Sequence, residues 1–234
     1  MGMDAIDISV VLPLYRTAAT LEELHRRLTA VLAGRTERYE LILVDDGCPA
    51  GSGAVAARLA AGDGHVRHLT NERNRGQQWT VFRGVGEARG AVVAILDADL
   101  QDPPEQLPVL LEELAAGRAE AVFAARQGQY QKWTRMVTSR VFKGLLQVWL
   151  GVPRGAGSYV VMTRRMADRV LRMRVRSPYM LALLGGSGLP LGAVPMERPR
   201  RPEGDSAYST WRRVRFAANA ILAAGEVRWR NQDR

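Results

Sequence analysis

Two carboxylates, Asp97 and Asp99, stand one residue apart at the end of an apolar run, with Gln101 two residues further on in the stretch ILDADLQDPPE (residues 95–105). Oxygen ligands of this kind suit Mg²⁺ or Mn²⁺, which proteins often hold with one or two carboxylates while substrate phosphates complete the shell. A metal held in this way neutralises a departing diphosphate. The same spacing also fits two acids in a solvated turn, with Asp102 as the N-cap of a helix that begins at the prolines.

Short apolar runs alternate with helical patterns through the first half of the chain. The alternation predicts βαβ units and an α/β fold with a mostly parallel sheet covered on both faces. Pro13 predicts the end of the first strand, and Thr20 with Glu23 predicts a capping box at the start of the first helix. The predicted strands span residues 6–12, 40–44, 65–69, 91–96 and 120–125, and the predicted helices span 20–34, 52–61, 77–88 and 105–117.

Polar or acidic clusters follow three of the predicted strands: Pro13-Leu14-Tyr15, Asp45-Asp46-Gly47 and Asp97-Ala98-Asp99. In a parallel sheet, ligands bind beyond the carboxyl ends of the strands, so these clusters are expected to share one edge. Asp45 and Asp46 could hydrogen-bond a base or ribose there. An Asp-Asp-Gly sequence is equally suited to an ordinary turn after a strand.

Composition indicates an ordinary globular protein of 234 residues, with 47% apolar and 24% charged residues. The single cysteine, Cys48, excludes an intrachain disulfide. The N-terminal sequence predicts no signal peptide, and no run of about 20 apolar residues predicts a membrane-spanning helix. A cytoplasmic location is therefore expected.

The net charge of +9 is concentrated in one segment, because residues 126–176 contain 12 Lys and Arg against a single acid, Asp168. Such a segment usually meets an anion: a nucleic acid, a membrane surface or a phosphorylated substrate. A general bias towards arginine explains part of the excess, but it does not explain the confinement to one segment.

Two stretches combine basic residues with an apolar stripe and tryptophans near the ends: residues 132–151 and residues 211–230. Basic amphipathic helices with terminal tryptophans fit the lipid headgroup boundary, which predicts peripheral attachment to the cytoplasmic face of a membrane. Packing on the core or on a second subunit, which would make the protein a homo-oligomer, is the alternative. No nucleic-acid partner is predicted, since no binding motif is recognisable.

Four stretches in order resemble the signatures of family 2 glycosyltransferases of the GT-A fold: VVLPLY, LVDDGCPAGS, NRGQQWTVFRGVGEARG and ILDADLQDPPE. The chain looks most similar to the polyprenyl-phosphate sugar transferases, which include the dolichol-phosphate mannose synthase, bactoprenol glucosyltransferase and undecaprenyl-phosphate aminoarabinose transferase groups. The resemblance is strong over residues 6–126 and weak over 127–210. It implies a metal-dependent hexosyltransferase that moves a sugar from a UDP-, GDP- or dTDP-sugar to a polyprenyl phosphate, with inversion.

The resemblance also implies roles for individual residues. A nucleoside pocket would be lined by Pro13, Tyr15, Asp45 and Asp46. The nucleotide would touch Asp97, Ala98 and Arg126, and the metal would be held by Asp97, Asp99 and Gln101. The acceptor phosphate would be bound by Arg135, Ser139 and Arg201.

The acceptor half departs from the pattern of this family, because Gly155, Ser158 and Val160 stand where acids and an arginine are usual. A phosphate acceptor is already anionic and needs positioning more than a general base, so these changes leave activity open. The expected organisation is a GT-A domain over residues 1–195, with a nucleotide-sugar half at 1–125 and an acceptor half at 126–195, and a basic amphipathic appendage at 196–234. A soluble small-molecule acceptor, or a non-catalytic sugar-nucleotide-binding or membrane-scaffold role, are the alternatives.

Overall fold

The computed structural model describes residues 5–127, 150–173 and 175–197. These residues build a seven-stranded sheet. The strands are β1 (Ile8–Leu14), β2 (Tyr39–Asp45), β3 (Val66–Thr70), β4 (Val92–Ile95), β5 (Ala121–Gln127), β6 (Val160–Thr163) and β7 (Leu191–Glu197). Their order in the sheet is β3-β2-β1-β4-β6-β5-β7, and the first five strands of the chain coincide with the predicted apolar runs.

The sheet is mostly parallel, with one reversed strand. Strand β1 pairs parallel with β2 and β4, β2 with β3, and β5 with β7, whereas β6 pairs antiparallel with both β4 and β5. The carboxyl ends of six strands and the amino end of β6 therefore meet at one edge. This arrangement confirms the predicted α/β fold and brings residues before β6 to the edge that carries the acids.

Helices cover both faces of the sheet, and residues of β1 alternate between the two cores as a strand requires. The helices are α1 (Ala18–Ala33), α2 (Ser52–Gly62), α3 (Gln77–Glu87), α4 (Leu107–Ala115), α5 (Arg164–Leu171) and α6 (Met180–Gly185). Val10 and Leu12 pack with α1, α2 and α4, while Val11 packs with α3, α5 and α6. A 3₁₀ turn, Pro104–Gln106, precedes α4, as the two prolines predict.

Two local predictions are wrong. Strand β1 continues through Pro13, because the pairing of β1 with β4 ends at Val11 and the proline on that side has no ladder bond to lose. Helix α1 begins before Thr20, so there is no capping box. The hydroxyl of Thr20 instead donates to the carbonyl oxygens of Ala98, at 2.6 Å, and Thr17, at 3.1 Å.

No helix among the described residues is long and apolar enough to cross a membrane. The predicted amphipathic stretch 211–230, and 132–151 except for its last two residues, lie outside the part of the chain that the structure describes.

Candidate functional site

The carboxyl edge of the sheet gathers the three predicted clusters. Tyr15 follows β1, Asp46 follows β2, and Asp97 lies two residues beyond β4. Arg126 is on β5, opposite Met196 of β7, so its backbone reaches the same edge. The prediction that these strand ends share one edge is confirmed.

Asp46 organises the loop that leads into α3. The Asp46 side chain is buried, its Oδ1 accepts hydrogen bonds from Asn71 Nδ2 (2.9 Å) and the backbone N–H of Arg75 (2.8 Å), and its Oδ2 accepts from the backbone N–H of Gly76 (2.9 Å). Gly76 has a φ of 90°, in the region that favours glycine, and is the N-cap of α3. Asp46 therefore sets where α3 begins.

Asp97 is held from two sides. Gln77, the first residue of α3, donates from Nε2 to Asp97 Oδ1 at 2.6 Å, and the hydroxyl of Ser158 donates to Asp97 Oδ2 at 2.7 Å. Ser158 lies just before the reversed strand β6, so the reversal delivers a donor to the end of β4. The three residues together, here called the Asp97 clamp, fix a carboxylate in one orientation at the centre of the edge.

Hydrogen bonds hold the turn that follows Asp97. The carbonyl oxygen of Ala98, a residue only 2% exposed, accepts the hydroxyl of Thr20, and Asp99 Oδ1 accepts the backbone N–H of Gln101 at 3.1 Å. Leu100, which lies between Asp99 and Gln101, has a φ of 60°. A left-handed backbone costs a residue with a Cβ about 1–2 kcal/mol. Such strain persists where the surroundings enforce it and is common at functional sites.

The residues at this turn suit a divalent cation. Hard cations bind oxygen ligands. Such oxygens are available here from the half-buried side chains of Asp97, Asp99 and Gln101. Among the described residues, no group of three or more His, Cys, Asp or Glu side chains is arranged to hold a metal ion. A cation here would therefore combine the two carboxylates with oxygens from a substrate, which is the usual manner for Mg²⁺.

The edge at β1 and β2 forms the other half of the site. Pro13, Asp45 and Asp46 are buried, and Tyr15 is half-buried with the guanidinium of Arg16 5.6 Å from its ring centre. Asp45 Oδ2 accepts the backbone N–H of Cys48 at 3.3 Å, while its buried Oδ1 has no hydrogen-bond partner among the described residues. Burial raises the pKa of Asp45 above its ordinary value.

Cys48 borders the same corner. Its sulfur accepts hydrogen bonds from the backbone N–H of Arg16 (3.1 Å) and Ala50 (3.4 Å) and from the hydroxyl of Ser52 (3.4 Å). Burial opposes ionisation, but these donors outweigh it and hold the pKa of Cys48 below its ordinary value. Arg16, like Leu100, has a positive φ, 57°. The only two non-glycine residues with positive φ in the described ranges thus directly follow Tyr15 and Asp99.

The structure gives reasons for the three departures in the acceptor half. Ser158 is a clamp residue, Gly155 has a φ of 77°, and Val160 is only 1% exposed within the core. An aspartate in place of Gly155 would be strained in that backbone conformation. Arg135, Ser139 and Arg201 lie outside the described residues, so their predicted roles stay predictions.

Sequence reasoning singled out no role for Gln77 or Asn71 and gave Thr20 only a helix-capping role. Gln77 stands within the NRGQQW stretch that carries the family resemblance, which was the available signal, whereas Asn71 lies three residues before it. Thr20 carried a different signal, since its spacing to Glu23 is typical of a helix cap.

Comparison with known proteins agrees with this geometry. The family profile described as "Glycosyl transferase family 2" matches residues 9–175. The undecaprenyl-phosphate 4-deoxy-4-formamido-L-arabinose transferase of Sodalis glossinidius is 34% identical over 219 residues, which cover 92% of the chain and 66% of the relative. The uncharacterized glycosyltransferase YkcC of Bacillus subtilis is 28% identical, covering 92% of the chain and 68% of the relative. The chain spans about two-thirds of the length of these relatives.

Solved structures share the fold. Glucosyl-3-phosphoglycerate synthase from Mycobacterium tuberculosis, in complex with Mn²⁺, UDP-glucose and phosphoglyceric acid, superposes with a TM-score of 0.69 at 18% identity, covering 95% of the chain and 80% of that structure. The mannosyltransferase PcManGT from Pyrobaculum calidifontis, in complex with GDP-mannose and Mn²⁺, superposes with a TM-score of 0.65 at 18% identity, covering 94% of the chain and 64% of that structure. At this identity the likeness extends to the fold alone.

Proposed function

The chain belongs to glycosyl transferase family 2 and is a glycosyltransferase, and from that premise we propose that it moves a sugar from a nucleoside diphosphate to a polyprenyl phosphate. The observation that carries the proposal is the Asp97 clamp. It fixes a carboxylate where the ends of β1, β2 and β4 meet, within a chain 34% identical to an enzyme named for an undecaprenyl phosphate acceptor.

The nucleoside end of the donor is assigned to the corner formed by Pro13, Tyr15 and Asp45. The unpartnered Oδ1 of Asp45 suits a hydrogen-bond donor on a base or ribose. Asp46 acts indirectly there, because its described hydrogen bonds go to the loop before α3. The diphosphate then lies towards Asp97 and Asp99.

A divalent cation held by Asp97, Asp99 and Gln101 would supply charge neutralisation for the departing diphosphate. The Asp97 clamp keeps that carboxylate from rotating, so the donor binds to a preformed site. The acceptor phosphate needs no base, since a phosphate monoester is largely ionised at neutral pH. Attack from the side opposite the leaving group would invert the anomeric centre, and Arg126, Arg135, Ser139 and Arg201 are the proposed anion contacts.

The donor half of the proposal is tested by thermal shift with UDP, GDP and dTDP, with and without Mn²⁺. Wild type should gain stability with one nucleotide only when Mn²⁺ is present. Asp99→Ala should lose this gain while melting normally without ligand. An equal nucleotide response in wild type and Asp99→Ala, unaffected by EDTA, would remove the metal from the proposal.

A peripheral membrane location follows from the proposed acceptor and from the net charge of +11 over residues 126–176. The cytoplasmic face is the side on which nucleotide sugars are expected.

A further inference from the structure

An apolar groove lies on the face of the sheet that α3, α5 and α6 cover. Its volume is about 430 Å³, and its apolar lining comprises Trp79 and Phe82 of α3, Leu171 of α5, and Met173, Val175 and Pro178 before α6. All but Pro178 are only half-buried, and the rings of Trp79 and Phe82 meet edge to face with centres 6.2 Å apart. Volumes of roughly 300–1,000 Å³ are typical of small-molecule pockets.

The groove and the candidate site both border the first turn of α3. Gln77 donates to Asp97, and the side-chain oxygen of Gln78 accepts the backbone N–H of Met180, the first residue of α6, at 2.9 Å. Trp79 follows these two residues directly. Residues two positions apart on a helix point to different sides, so α3 presents Gln77 to Asp97 and Trp79 to the groove. The clamp and the apolar lining therefore meet the same helical turn from different sides.

Two arginines beside the groove favour the binding of an anionic amphiphile. The guanidinium of Arg75 lies 4.8 Å from the centre of the Trp79 ring, and the exposed Arg176 lines the groove itself. Among the residues that the structure describes, no acidic side chain belongs to the lining. Positive charge at the rim and carbon in the interior complement a phosphate attached to a hydrocarbon chain.

We propose that this groove binds the isoprenoid chain of the acceptor, with its phosphate directed towards Arg75, just before the first turn of α3. The inference rests on the proposed function, since it places the chain of the proposed lipid acceptor. A nucleotide sugar does not suit the lining, because its hydroxyls and phosphates would meet six apolar side chains. A chain of branched hydrocarbon units matches the aromatic and aliphatic lining along its whole length.

The test measures equilibrium binding of radiolabelled farnesyl phosphate to the full chain, without vesicles or donor. Met173→Glu places a carboxylate in the groove and should weaken binding by about ten-fold or more. Trp79→Ala removes the aromatic wall and should weaken it several-fold, while Trp79→Phe keeps most of the affinity. Val109→Glu is the matched control, since Val109 is an exposed apolar residue on α4, on the opposite face of the sheet. If Met173→Glu does not fold, the Trp79 pair carries the test.

The inference is overturned if all variants bind farnesyl phosphate like wild type, or if inorganic phosphate displaces it as well as unlabelled farnesyl phosphate does. It is also overturned if Met173→Glu changes only the oligomeric state, because the groove would then be a contact between copies of the chain. Failure of the proposed function is seen separately. Wild type that binds farnesyl phosphate in this groove, yet never transfers sugar to a polyprenyl phosphate, refutes the transferase proposal and leaves the groove assignment standing.

Discussion

Replacing Ser158 by alanine should reduce sugar transfer without unfolding the protein. The hydroxyl donates to Asp97 Oδ2 at 2.7 Å, and a hydrogen bond to a charged group contributes about 1.5–3 kcal/mol. Both residues are half-buried, so water can replace the lost donor and the free energy of unfolding should fall by about 1 kcal/mol or less. The orientation of Asp97 is what changes, because the carboxylate loses its donor at Oδ2 while Gln77 still donates to Oδ1.

If most of that hydrogen-bond energy serves to position Asp97, kcat should fall by about 10- to 100-fold, at 1.4 kcal/mol for each factor of ten. The measurement is steady-state transfer with donor and acceptor varied separately, at saturating Mn²⁺. The KM for the acceptor should change little, since the clamp orients a donor-side carboxylate.

Ser158→Thr is the matched control, because it keeps a hydroxyl at the same carbon. It should retain most of the activity that Ser158→Ala loses. The reasoning is refuted if Ser158→Ala has the kcat of wild type, or if the two variants lose the same activity although both remain folded. The first outcome would show that the Ser158 hydroxyl is not needed to orient Asp97, and the second that the loss of activity does not come from the missing hydroxyl.

Three further predictions concern stability and the membrane. Glu40→Gln should lower the free energy of unfolding by about 1–3 kcal/mol in chemical denaturation, because buried Glu40 accepts hydrogen bonds from Ser9 Oγ (2.6 Å) and Arg67 (2.8 Å), while Arg67 keeps Glu87 as a partner. Specific activity should be unchanged, and an unaltered unfolding midpoint would contradict the prediction. Burial opposes ionisation of Glu40, but these donors hold its pKa below the ordinary value, so the wild type should lose this stability as pH falls from about 4.5 through the lower folded pKa. Asp45→Asn should raise the free energy of unfolding at neutral pH by about 1 kcal/mol, because the folded protein disfavours the Asp45 carboxylate. This gain should vanish below about pH 4, where Asp45 is protonated in both the folded and the unfolded state. A lower free energy of unfolding for the variant at pH 7 would contradict the prediction, because it would mean that the Asp45 charge is compensated. The protein should float with anionic liposomes at low salt and be released at about 0.5 M salt, because each basic residue contributes about 1 kcal/mol at an anionic surface and salt screens this attraction. Failure to float, or flotation that salt leaves unchanged, would contradict electrostatic attachment.

Local patterns predicted the site edge well. Apolar runs that end in Asp45-Asp46 and Asp97-Ala98-Asp99 identify strands and their carboxyl ends, and the parallel arrangement then places both clusters together. Neither step requires knowledge of a distant contact. The same patterns could not rank the acids, because the burial of Asp46 and its bonds to the loop before α3 depend on residues 25–30 positions away.

Contacts between segments far apart in the sequence could not be predicted from local patterns. Ser158 and Asp97 are 61 positions apart, and their pairing depends on the reversed strand β6, which was not among the predicted strands. Thr20 illustrates the opposite failure, where a good local pattern is overridden. Its hydroxyl finds the carbonyl of Ala98, 78 positions away, and leaves the capping role unused.

The most direct test of the account is transfer of radiolabelled sugar from the nucleoside diphosphate sugar selected by thermal shift into organic-phase undecaprenyl phosphate. Wild type should label the lipid in a Mn²⁺- or Mg²⁺-dependent reaction. Asp99→Ala should not, and Arg135→Lys should label it poorly while slow donor hydrolysis persists, because lysine lacks the planar fork of arginine. Wild type that turns over the donor readily, yet labels no lipid with any donor or chain length, would contradict the central claim.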